Sequence, residues 1–435
     1  MTTLRHLAWE ILRSGSEQPL REVDHAADAW ELEPRDRGLL RRIIGTEVRR
    51  RGTLRAVVQR FTHGTPKADL AAHLRIGLAQ LLFLDKVPPH AAISETVSAA
   101  RDTLGLSKGR IVNGVLREVQ RQLEPGVSGD PRCDLPGREL HFRDPLFRDP
   151  GEHPALWAED ALNIPSHLYK RWAKRHGEEA AQSLAHWFID EPPLAVHGAD
   201  GEDAEALAAA GACAQEGGSW RLPSDRAREL FELEGFRAGR LFVQGETAAR
   251  ATALASTGPG TRALDLCAAP GTKALGLAAG GAWVVAADRS SRRLSRMPAE
   301  LERRGLTGRV LPVACHAGKG LALDARFDAV LVDAPCSNTG VLGARPGARW
   351  RLGPASLREL TELQASLLES AAARVLPGGA LVWSVCSLEP EEGDQRVRAF
   401  LRDHPEFEVE ESFTALPGPG GPVDGGHATR LVRRA

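Results

Sequence analysis

Residues 263–273 read Ala-Leu-Asp-Leu-Cys-Ala-Ala-Pro-Gly-Thr-Lys, and this run decides the fold class. An apolar strand ends at Leu266, a glycine turn follows, and a helical pattern begins after the turn. Such a turn places backbone N–H groups at the carboxyl edge of a sheet, where a ligand can approach closely. The run therefore predicts a βα unit that binds a nucleotide-like ligand, and a plain βα turn is the alternative.

Short β-rich runs alternate with helical stretches through the rest of this region. The predicted strands are Ala263–Leu266, Trp283–Ala287, Ala329–Val332 and Ala380–Trp383. This alternation is typical of a parallel sheet covered by helices, so we expect an α/β Rossmann-like domain over residues 241–435. Two further runs, Phe407–Val409 and Thr429–Val432, are candidates for a terminal antiparallel pair.

The second predicted strand leads into an acid, Asp288. It lies about 22 residues beyond the end of the first strand, where an acidic group suits the two hydroxyls of an adenosine ribose. An exposed Asp without a ligand is the alternative. The glycine turn and Asp288 together favour a nucleoside-containing cofactor.

The N-terminal part of the chain has a different pattern. Apolar residues recur every three or four positions over residues 4–122, which predicts a bundle of about five to seven helices. Residues 1–125 carry about 20 Lys and Arg against about 15 Asp and Glu, which suits an RNA-facing domain as well as a solvated surface. Residues 126–160 are expected to form a linker, and residues 161–240 a small α/β subdomain that binds RNA ahead of the main domain.

Composition excludes several classes of protein. The 435 residues are 42% hydrophobic and 26% charged, as in globular proteins of two or three domains. The six cysteines include no CxxC pair, so neither structural zinc nor a disulfide scaffold is expected. No apolar run reaches the roughly 18 to 20 residues of a membrane span. We expect a cytoplasmic monomer with reduced thiols and no metal.

Two cysteines follow predicted strand ends. One strand runs into Asp333-Ala334-Pro335-Cys336, and another into Ser384-Val385-Cys386. Most cysteines are small buried hydrophobic residues, but two at equivalent strand ends beside a nucleotide turn indicate catalysis. A thiolate that adds to carbon 6 of a cytosine makes carbon 5 nucleophilic. Asp333 is a candidate to satisfy ring nitrogen 3, and Lys273 to favour the thiolate.

These motifs resemble those of the RNA 5-methylcytosine methyltransferases of the RsmB (Sun/Fmu) family. The matching runs are DLCAAPGTK at 265–273, DAPCSNTGVL at 333–342 and VCSLEPEEG at 385–393. The resemblance implies a class I methyltransferase fold, S-adenosylmethionine as the cofactor, and methylation of carbon 5 of a cytosine in RNA. It also implies that Cys386 is the nucleophile and that Cys336 aids product release.

The resemblance further implies a set of cofactor contacts. They are Cys267, Ala268, Ala269, Pro270, Gly271, Thr272, Lys273, Asp288, His316 and Asp333. His316 stands where the family usually has an Asp near the adenine. Two other departures are Val243-Gln244-Gly245-Glu246, where the family has Val-Gln-Asp, and Asp424-Gly425-Gly426-His427, where it has Asp-Gly and two aromatic residues.

The N-terminal helices are similar to the NusB-like RNA-binding domain that this family carries. The matching runs are VPPHAAISETV at 87–97 and IVNGVLREVQRQ at 111–122. The pairing of the two domains implies 16S ribosomal RNA as the substrate. Arg345, Arg349, Trp350 and Arg351 are candidates for RNA contacts, and a solvated loop is the alternative.

Two other hypotheses remain open from the sequence. The first is a non-catalytic RNA-binding or ribosome assembly factor on a methyltransferase scaffold, which would not bind the cofactor. The second is an enzyme that methylates another acceptor, such as a DNA cytosine or an exocyclic amine. An amine methyltransferase would not need Cys386, and a DNA cytosine enzyme would use Cys336 as its nucleophile.

Overall fold

The computed structural model of the chain describes residues 3–16, 18–317 and 325–435. The chain forms two units. Unit 1 contains Met1–Asp190 and Arg349–Arg351, and unit 2 contains Glu191–Ala348 and Leu352–Ala435. In neither unit does a described helix combine the length and the apolar composition needed to cross a bilayer.

Unit 1 begins with the bundle that the sequence predicts. Its described helices up to residue 122 are α1 (Leu4–Arg13), α2 (Pro19–Ala29), α3 (Pro34–Phe61), α4 (Ala68–Phe83), α5 (Pro89–Leu104) and α6 (Leu106–Gln122). Three of them start on proline, whose missing N–H would have no partner within the helix at that position. Leu40, Ile43, Ile44 and Ile76 are fully buried in the bundle core. The expected bundle of five to seven helices is confirmed.

The segment expected to be a linker instead belongs to unit 1. It contributes β2 (Leu140–Phe142), which pairs with β1 (Leu123–Pro125), and α7 (Pro154–Asp160). The helices α8 (Ser166–His176) and α9 (Glu178–Trp187) follow it. Phe142 and Phe147 are buried. The expectation of a linker over 126–160 is wrong, because this segment is structured and buries apolar side chains in unit 1. The sequence did not indicate this, since its apolar residues are irregularly spaced. The helices after residue 161 also lie in unit 1, and the boundary falls at residue 190.

Residues 349–351 are a second surprise of unit 1. The Arg349 side chain has no exposed surface and donates to the carbonyls of Asn163 and Phe188, at 3.1 and 2.9 Å. The indole N–H of Trp350 donates to the Val48 carbonyl at 2.7 Å. The expectation that Arg349 contacts RNA is therefore wrong, because its guanidinium is buried and bonded to backbone carbonyls within this unit.

Unit 2 opens with a small antiparallel sheet. Its elements are β3 (Leu194–His197), α10 (Gly201–Ala209), β4 (Cys213–Ala214), β5 (Trp220–Leu222), α11 (Ala227–Glu232), α12 (Glu234–Arg237) and β6 (Phe242–Val243), with strand order β4-β5-β3-β6. Val196, Leu207, Leu222 and Leu230 form its buried core. The α/β subdomain expected before the main sheet therefore starts near Leu194, later than residue 161.

The main sheet of unit 2 has seven strands among the described residues. They are β7 (Arg262–Leu266), β8 (Trp283–Asp288), β9 (Val310–Ala314), β10 (Phe327–Asp333), β11 (Val375–Val385), β12 (Phe407–Ala415) and β13 (Gly426–Arg433), in the order β12-β13-β11-β10-β7-β8-β9. Strands β7 to β11 pair in parallel, whereas β13 pairs antiparallel with β11 and β12. The Rossmann-like fold and its terminal antiparallel pair are confirmed.

Helices connect the parallel strands and cover the sheet. They are α13 (Glu246–Leu254), α14 (Thr272–Ala279), α15 (Ser291–Leu294), α16 (Met297–Arg303), α17 (Pro354–Ala372) and α18 (Asp394–Asp403). Parallel strands need such crossovers, which bury both faces of the sheet. Val330, Leu331 and Val332, three successive residues of β10, are accordingly all fully buried.

One departure from the family pattern, Gly245, fits against Asp424 at the start of α13. Oδ1 of Asp424 accepts the backbone N–H of Thr247 at 2.9 Å, and Oδ2 accepts that of Ala248 at 3.4 Å. A Cβ on residue 245 would lie 2.1 Å from Oδ2 of Asp424, so glycine leaves the space for this carboxylate. A residue distant in the chain thus supplies the N-terminal cap and the negative charge that a helix start favours.

We expect Gly245→Ala to lower the free energy of unfolding by about 2–3 kcal/mol, since the new methyl group must displace the capping carboxylate. Asp424→Ala should cost about 1–2 kcal/mol through loss of the cap. Because both changes act on one contact, the double variant should lose less than the sum of the single losses. Urea denaturation measures all three.

Gly418→Ala is the matched control, because a Cβ there meets nothing within 4 Å. Its unfolding free energy should stay within about 0.5 kcal/mol of wild type. Strictly additive losses in the double variant would contradict the contact between residues 245 and 424.

Candidate active site

The carboxyl ends of the parallel strands bring five of the sequence-predicted residues to one edge of the sheet. Cys267 follows β7, Asp288 ends β8, His316 lies two residues beyond β9, Asp333 ends β10, and Cys386 follows β11. Ligands bind at this edge in open parallel sheets. The His316 side chain is exposed, and the other four are buried or half-buried.

The loop from β7 to α14 turns sharply. Cys267 and Gly271 both have left-handed backbone angles, with φ of 73° and 118°. Gly271 is required for a second reason, since a Cβ there would lie 2.7 Å from the Met297 side chain. The loop therefore places the start of α14, and with it Lys273, directly beside the strand ends.

Asp288 fastens this loop. Its Oδ2 accepts the backbone N–H of Ala269 at 3.1 Å, and its Oδ1 accepts that of Ser290 at 2.8 Å. The guanidinium of Arg293 donates to the Ala269 carbonyl and lies 3.9 Å from Oδ2 of Asp288. An ionised carboxylate has about four acceptor positions, so Asp288 can hold the loop and still accept ligand hydroxyls.

Lys273 is buried and forms an ion pair with the half-buried Asp333. Nζ of Lys273 lies 2.7 Å from Oδ2 of Asp333, and the Ser384 hydroxyl donates to Oδ1 of Asp333 at 3.1 Å. Burial alone would lower the pKa of Lys273, but the charge and the hydrogen bond of Asp333 outweigh it, so the pKa is raised. Lys273 is therefore a protonated cation at the sheet edge.

Asp265, on β7, is a buried acid of this site to which the sequence motif alone assigned no role. Its side chain is fully buried, and neither carboxyl oxygen accepts a hydrogen bond of standard geometry from a described residue. Burial raises the pKa of Asp265 to about 8, and the charges of Asp333 and Asp288 add to the rise while Lys273 opposes it. The three acids and one lysine form a mostly acidic cluster, which suits a ligand that carries positive charge.

The two cysteines lie in contact. Their Sγ atoms are 3.3 Å apart, well beyond the roughly 2.05 Å of a disulfide, so they are free thiols joined by a hydrogen bond. The hydrogen bond to Cys336 lowers the pKa of Cys386 by more than burial raises it, and the charges of Arg345 and Lys273 lower it further. The same hydrogen bond and burial raise the pKa of Cys336. Cys386 is therefore the more acidic thiol of the pair, and Cys336 is the better placed to donate the hydrogen bond between them when Cys386 ionises.

Glu392 ties the two cysteine loops together. Its carboxylate is fully buried and accepts the backbone N–H of Ser337 and the side-chain amide of Gln364, both at 2.9 Å. It also accepts the hydroxyls of Ser337 and Ser387. These serines directly follow Cys336 and Cys386, so one carboxylate holds both loops. The sequence motif contained Glu392 but gave no sign of this role, because the four donors come from three separate segments.

We expect Glu392→Gln to lower the free energy of unfolding by about 2–4 kcal/mol, since the new amide turns N–H groups toward hydroxyl and amide donors. Methyl transfer should fall by at least about tenfold as the two sulfur atoms lose their relative position. Thermal or urea denaturation and a single-turnover assay measure the two effects. Glu362→Gln on the exposed face of α17 is the control. Equal stability of the two variants would refute the claim that Glu392 holds the two cysteine loops together.

Asp265→Asn should reveal the buried acid through its pH dependence. The folded protein keeps the Asp265 proton up to about pH 8, whereas an unfolded chain loses it near about pH 4. Wild-type stability therefore falls across this window as pH rises, and the Asn variant escapes that loss. The unfolding free energy of the variant relative to wild type should grow from pH 4 to 8 and then level off. Parallel stability curves would contradict a neutral Asp265.

Sequence comparison finds relatives for both parts of the chain. The model for the family described as 16S rRNA methyltransferase RsmB/F matches residues 251–418, and the NusB family model matches residues 3–121. The chain is 33% identical over 356 residues to proteins called ribosomal RNA small subunit methyltransferase B. Two of these come from Yersinia pestis bv. Antiqua (strain Angola) and Yersinia pseudotuberculosis serotype O:1b, with 79% of this chain and 76% of each relative covered.

Solved structures share the fold. A crystal structure of a protein designated PH0851 superposes with a TM-score of 0.71 at 23% identity, over 99% of this chain and 98% of that one. A methyltransferase homolog protein from Pyrococcus horikoshii gives a TM-score of 0.54 at 21% identity, over 66% of this chain and all of that one. At these identities the likeness concerns the fold alone.

Proposed function

We propose, from the premise that this chain belongs to the RsmB/F family of 16S rRNA methyltransferases and carries a NusB-family domain, that it methylates carbon 5 of a cytosine in small-subunit ribosomal RNA. Family membership confirms the resemblance that the three motifs carried. The choice of acceptor atom rests on one observation, the 3.3 Å contact between the sulfur atoms of Cys336 and Cys386 beside the Lys273–Asp333 ion pair. Methylation of an amine would not need this pair of thiols.

S-adenosylmethionine fits the charges at the sheet edge. When bound, it supplies an electrophilic methyl group on a positively charged sulfonium. The acidic cluster suits that charge and the ammonium of the methionine part, since the Asp265 oxygens accept no hydrogen bond of standard geometry from a described residue. Asp288 would accept the ribose hydroxyls, residues 267–273 would hold the methionine part, and His316 would lie near the adenine.

The first chemical step belongs to Cys386. Its thiolate attacks carbon 6 of the cytosine, and an S–C6 bond forms. The C5=C6 electron pair moves to C4–C5, and the N3=C4 pair becomes a lone pair on nitrogen 3 that needs a proton. Asp333 contacts nitrogen 3, and the protonated Lys273 at 2.7 Å supplies the proton through it. Carbon 5 is then an enamine carbon that can attack an electrophile.

Product release needs the S–C6 bond to break. Once carbon 5 carries the methyl group, nitrogen 3 returns its proton through Asp333 to Lys273 and the N3=C4 bond forms again. A water molecule takes the proton of carbon 5, the C–H electron pair restores the C5=C6 bond, and the S–C6 pair returns to Cys386. The Cys336 thiol donates to this sulfur, which makes the thiolate a better leaving group. The same hydrogen bond thus serves the attack and the release.

The RNA must present an unpaired or flipped-out cytosine, because carbon 6 is inaccessible inside a duplex. We assign recognition of the surrounding RNA to the NusB-family domain and the small sheet over residues 194–243. Because ribosomal RNA is the proposed substrate, we propose that the protein acts in the cytoplasm. We also propose that it is a monomer.

We expect Cys386→Ala to abolish methyl transfer while cofactor binding, measured by calorimetry, stays within about threefold of wild type. Cys336→Ala should instead accumulate a covalent RNA–protein adduct that survives denaturing electrophoresis. Mass spectrometry should place the adduct on the peptide that contains Cys386.

The double variant Cys336→Ala/Cys386→Ala is the control and should form no adduct. An active Cys386→Ala variant would point to another acceptor, and an essential Cys336 would reverse the assigned roles. Absence of cofactor binding with the fold intact would favour an assembly factor. Bisulfite mapping of 16S RNA from a deletion strain identifies the nucleotide.

A further inference from the structure

Asn338 and Arg345 lie beside the proposed nucleophile, and the reaction steps described so far use neither side chain. Asn338 is two residues beyond Cys336, in the left-handed backbone region with φ 61° and ψ 26°. Its side-chain N–H donates to the Cys336 carbonyl at 2.7 Å, and its Oδ1 lies 3.3 Å from Sγ of Cys386. Nη1 of Arg345 donates to the same Oδ1 at 2.6 Å.

These contacts fix the orientation of the Asn338 amide. Turning it over would set its NH₂ group against the Arg345 guanidinium and its oxygen against the Cys336 carbonyl, two repulsive arrangements. An acceptor oxygen therefore faces Sγ of Cys386, and by itself it stabilises the thiol rather than the thiolate. A compensating positive charge must come from the group bonded to that oxygen, which is Arg345.

The charged groups around Cys386 come from several elements. Lys273 on α14 and Arg345 favour the thiolate, while Asp333 at the end of β10 opposes it. Lys273 is already paired with Asp333 at 2.7 Å, so the effects of these two charges on the sulfur largely cancel. That leaves the Cys336 hydrogen bond and Arg345 as the net support for the thiolate.

We propose that Arg345, held by Asn338, is a positioning residue that keeps Cys386 in its reactive thiolate form. The proposal deepens the proposed function, because it concerns the nucleophile of that reaction. Asn338 contributes by anchoring a solvent-exposed arginine through a charge-assisted hydrogen bond. Arg345 acts through the electrostatics of the sulfur rather than by contact with RNA phosphates, which was the expectation from the sequence.

Alkylation of the RNA-free and cofactor-free protein by iodoacetamide tests the proposal. Trypsin releases Cys386 in the peptide of residues 375–396, separate from Cys336, so mass spectrometry can follow its modification as a function of pH. In Arg345→Met the Cys386 alkylation rate at pH 7 should fall by about three- to tenfold, with the rate profile moved to higher pH. Arg345→Lys restores the charge and should recover most of the rate.

Asn338→Gly removes the amide but keeps a residue that tolerates the left-handed backbone. It should slow alkylation in the same direction as Arg345→Met, and it should add no further slowing when combined with it. Arg358→Met, an exposed arginine on α17, is the matched control and should behave like wild type.

An Arg345→Met profile identical to wild type would overturn the proposal, as would a loss confined to the KM for RNA. A wild-type profile for Asn338→Gly would overturn the role of Asn338. The proposed function fails separately, if Cys386→Ala still methylates RNA or if Cys336→Ala yields no covalent adduct. Each assay therefore reports on one claim.

Discussion

A buried carboxylate imposes the constraint on which the site depends. Removing an ionised Glu392 from water costs several kcal/mol unless its oxygens are satisfied, so its four hydrogen bonds must form together. Two of the residues that satisfy it, Ser337 and Ser387, directly follow Cys336 and Cys386. By bonding to both serines, the buried Glu392 carboxylate holds the two cysteine loops, and with them the two sulfur atoms, at a fixed separation. Strands β10 and β11 are neighbours in the sheet, which brings their loops within reach of one side chain.

Electrostatics at the sheet edge follows from the same burial. Burial raises the pKa of Asp265 to about 8, Asp333 is paired with Lys273 at 2.7 Å, and Asp288 accepts a backbone N–H of the cofactor loop. This edge therefore has more carboxyl groups than negative charges near pH 7, because Asp265 keeps its proton up to about pH 8. A ligand with a sulfonium and an ammonium would meet the two Asp265 oxygens, which accept no hydrogen bond of standard geometry from a described residue. The protein thus pre-arranges charge complementarity before the cofactor arrives.

The role of a single residue in a sequence pattern depends on the groups that the fold brings to it. Gly245 alone reads as the loss of an acid, yet it makes room for the Asp424 carboxylate that caps α13. Asn338 alone reads as a residue with an unfavourable backbone angle, yet its amide joins Arg345 to the nucleophile. Arg349 reads as an exposed RNA contact, but unit 1 buries it against two carbonyls. In each case the partner group lies outside the motif in which the residue occurs.

The sequence by itself determined the helical bundle, the alternation that builds the parallel sheet, and the strand-end positions of Asp288, Asp333 and Cys386. These follow from local periodicity and from the rule that parallel strands share a carboxyl edge. Only the tertiary structure decided that residues 126–160 pack into unit 1 and that Glu392 and Arg345 act on the cysteines. The reason is physical: burial, ion pairing and the acidity of a thiol depend on distances between residues far apart in the chain, and no local pattern encodes those distances.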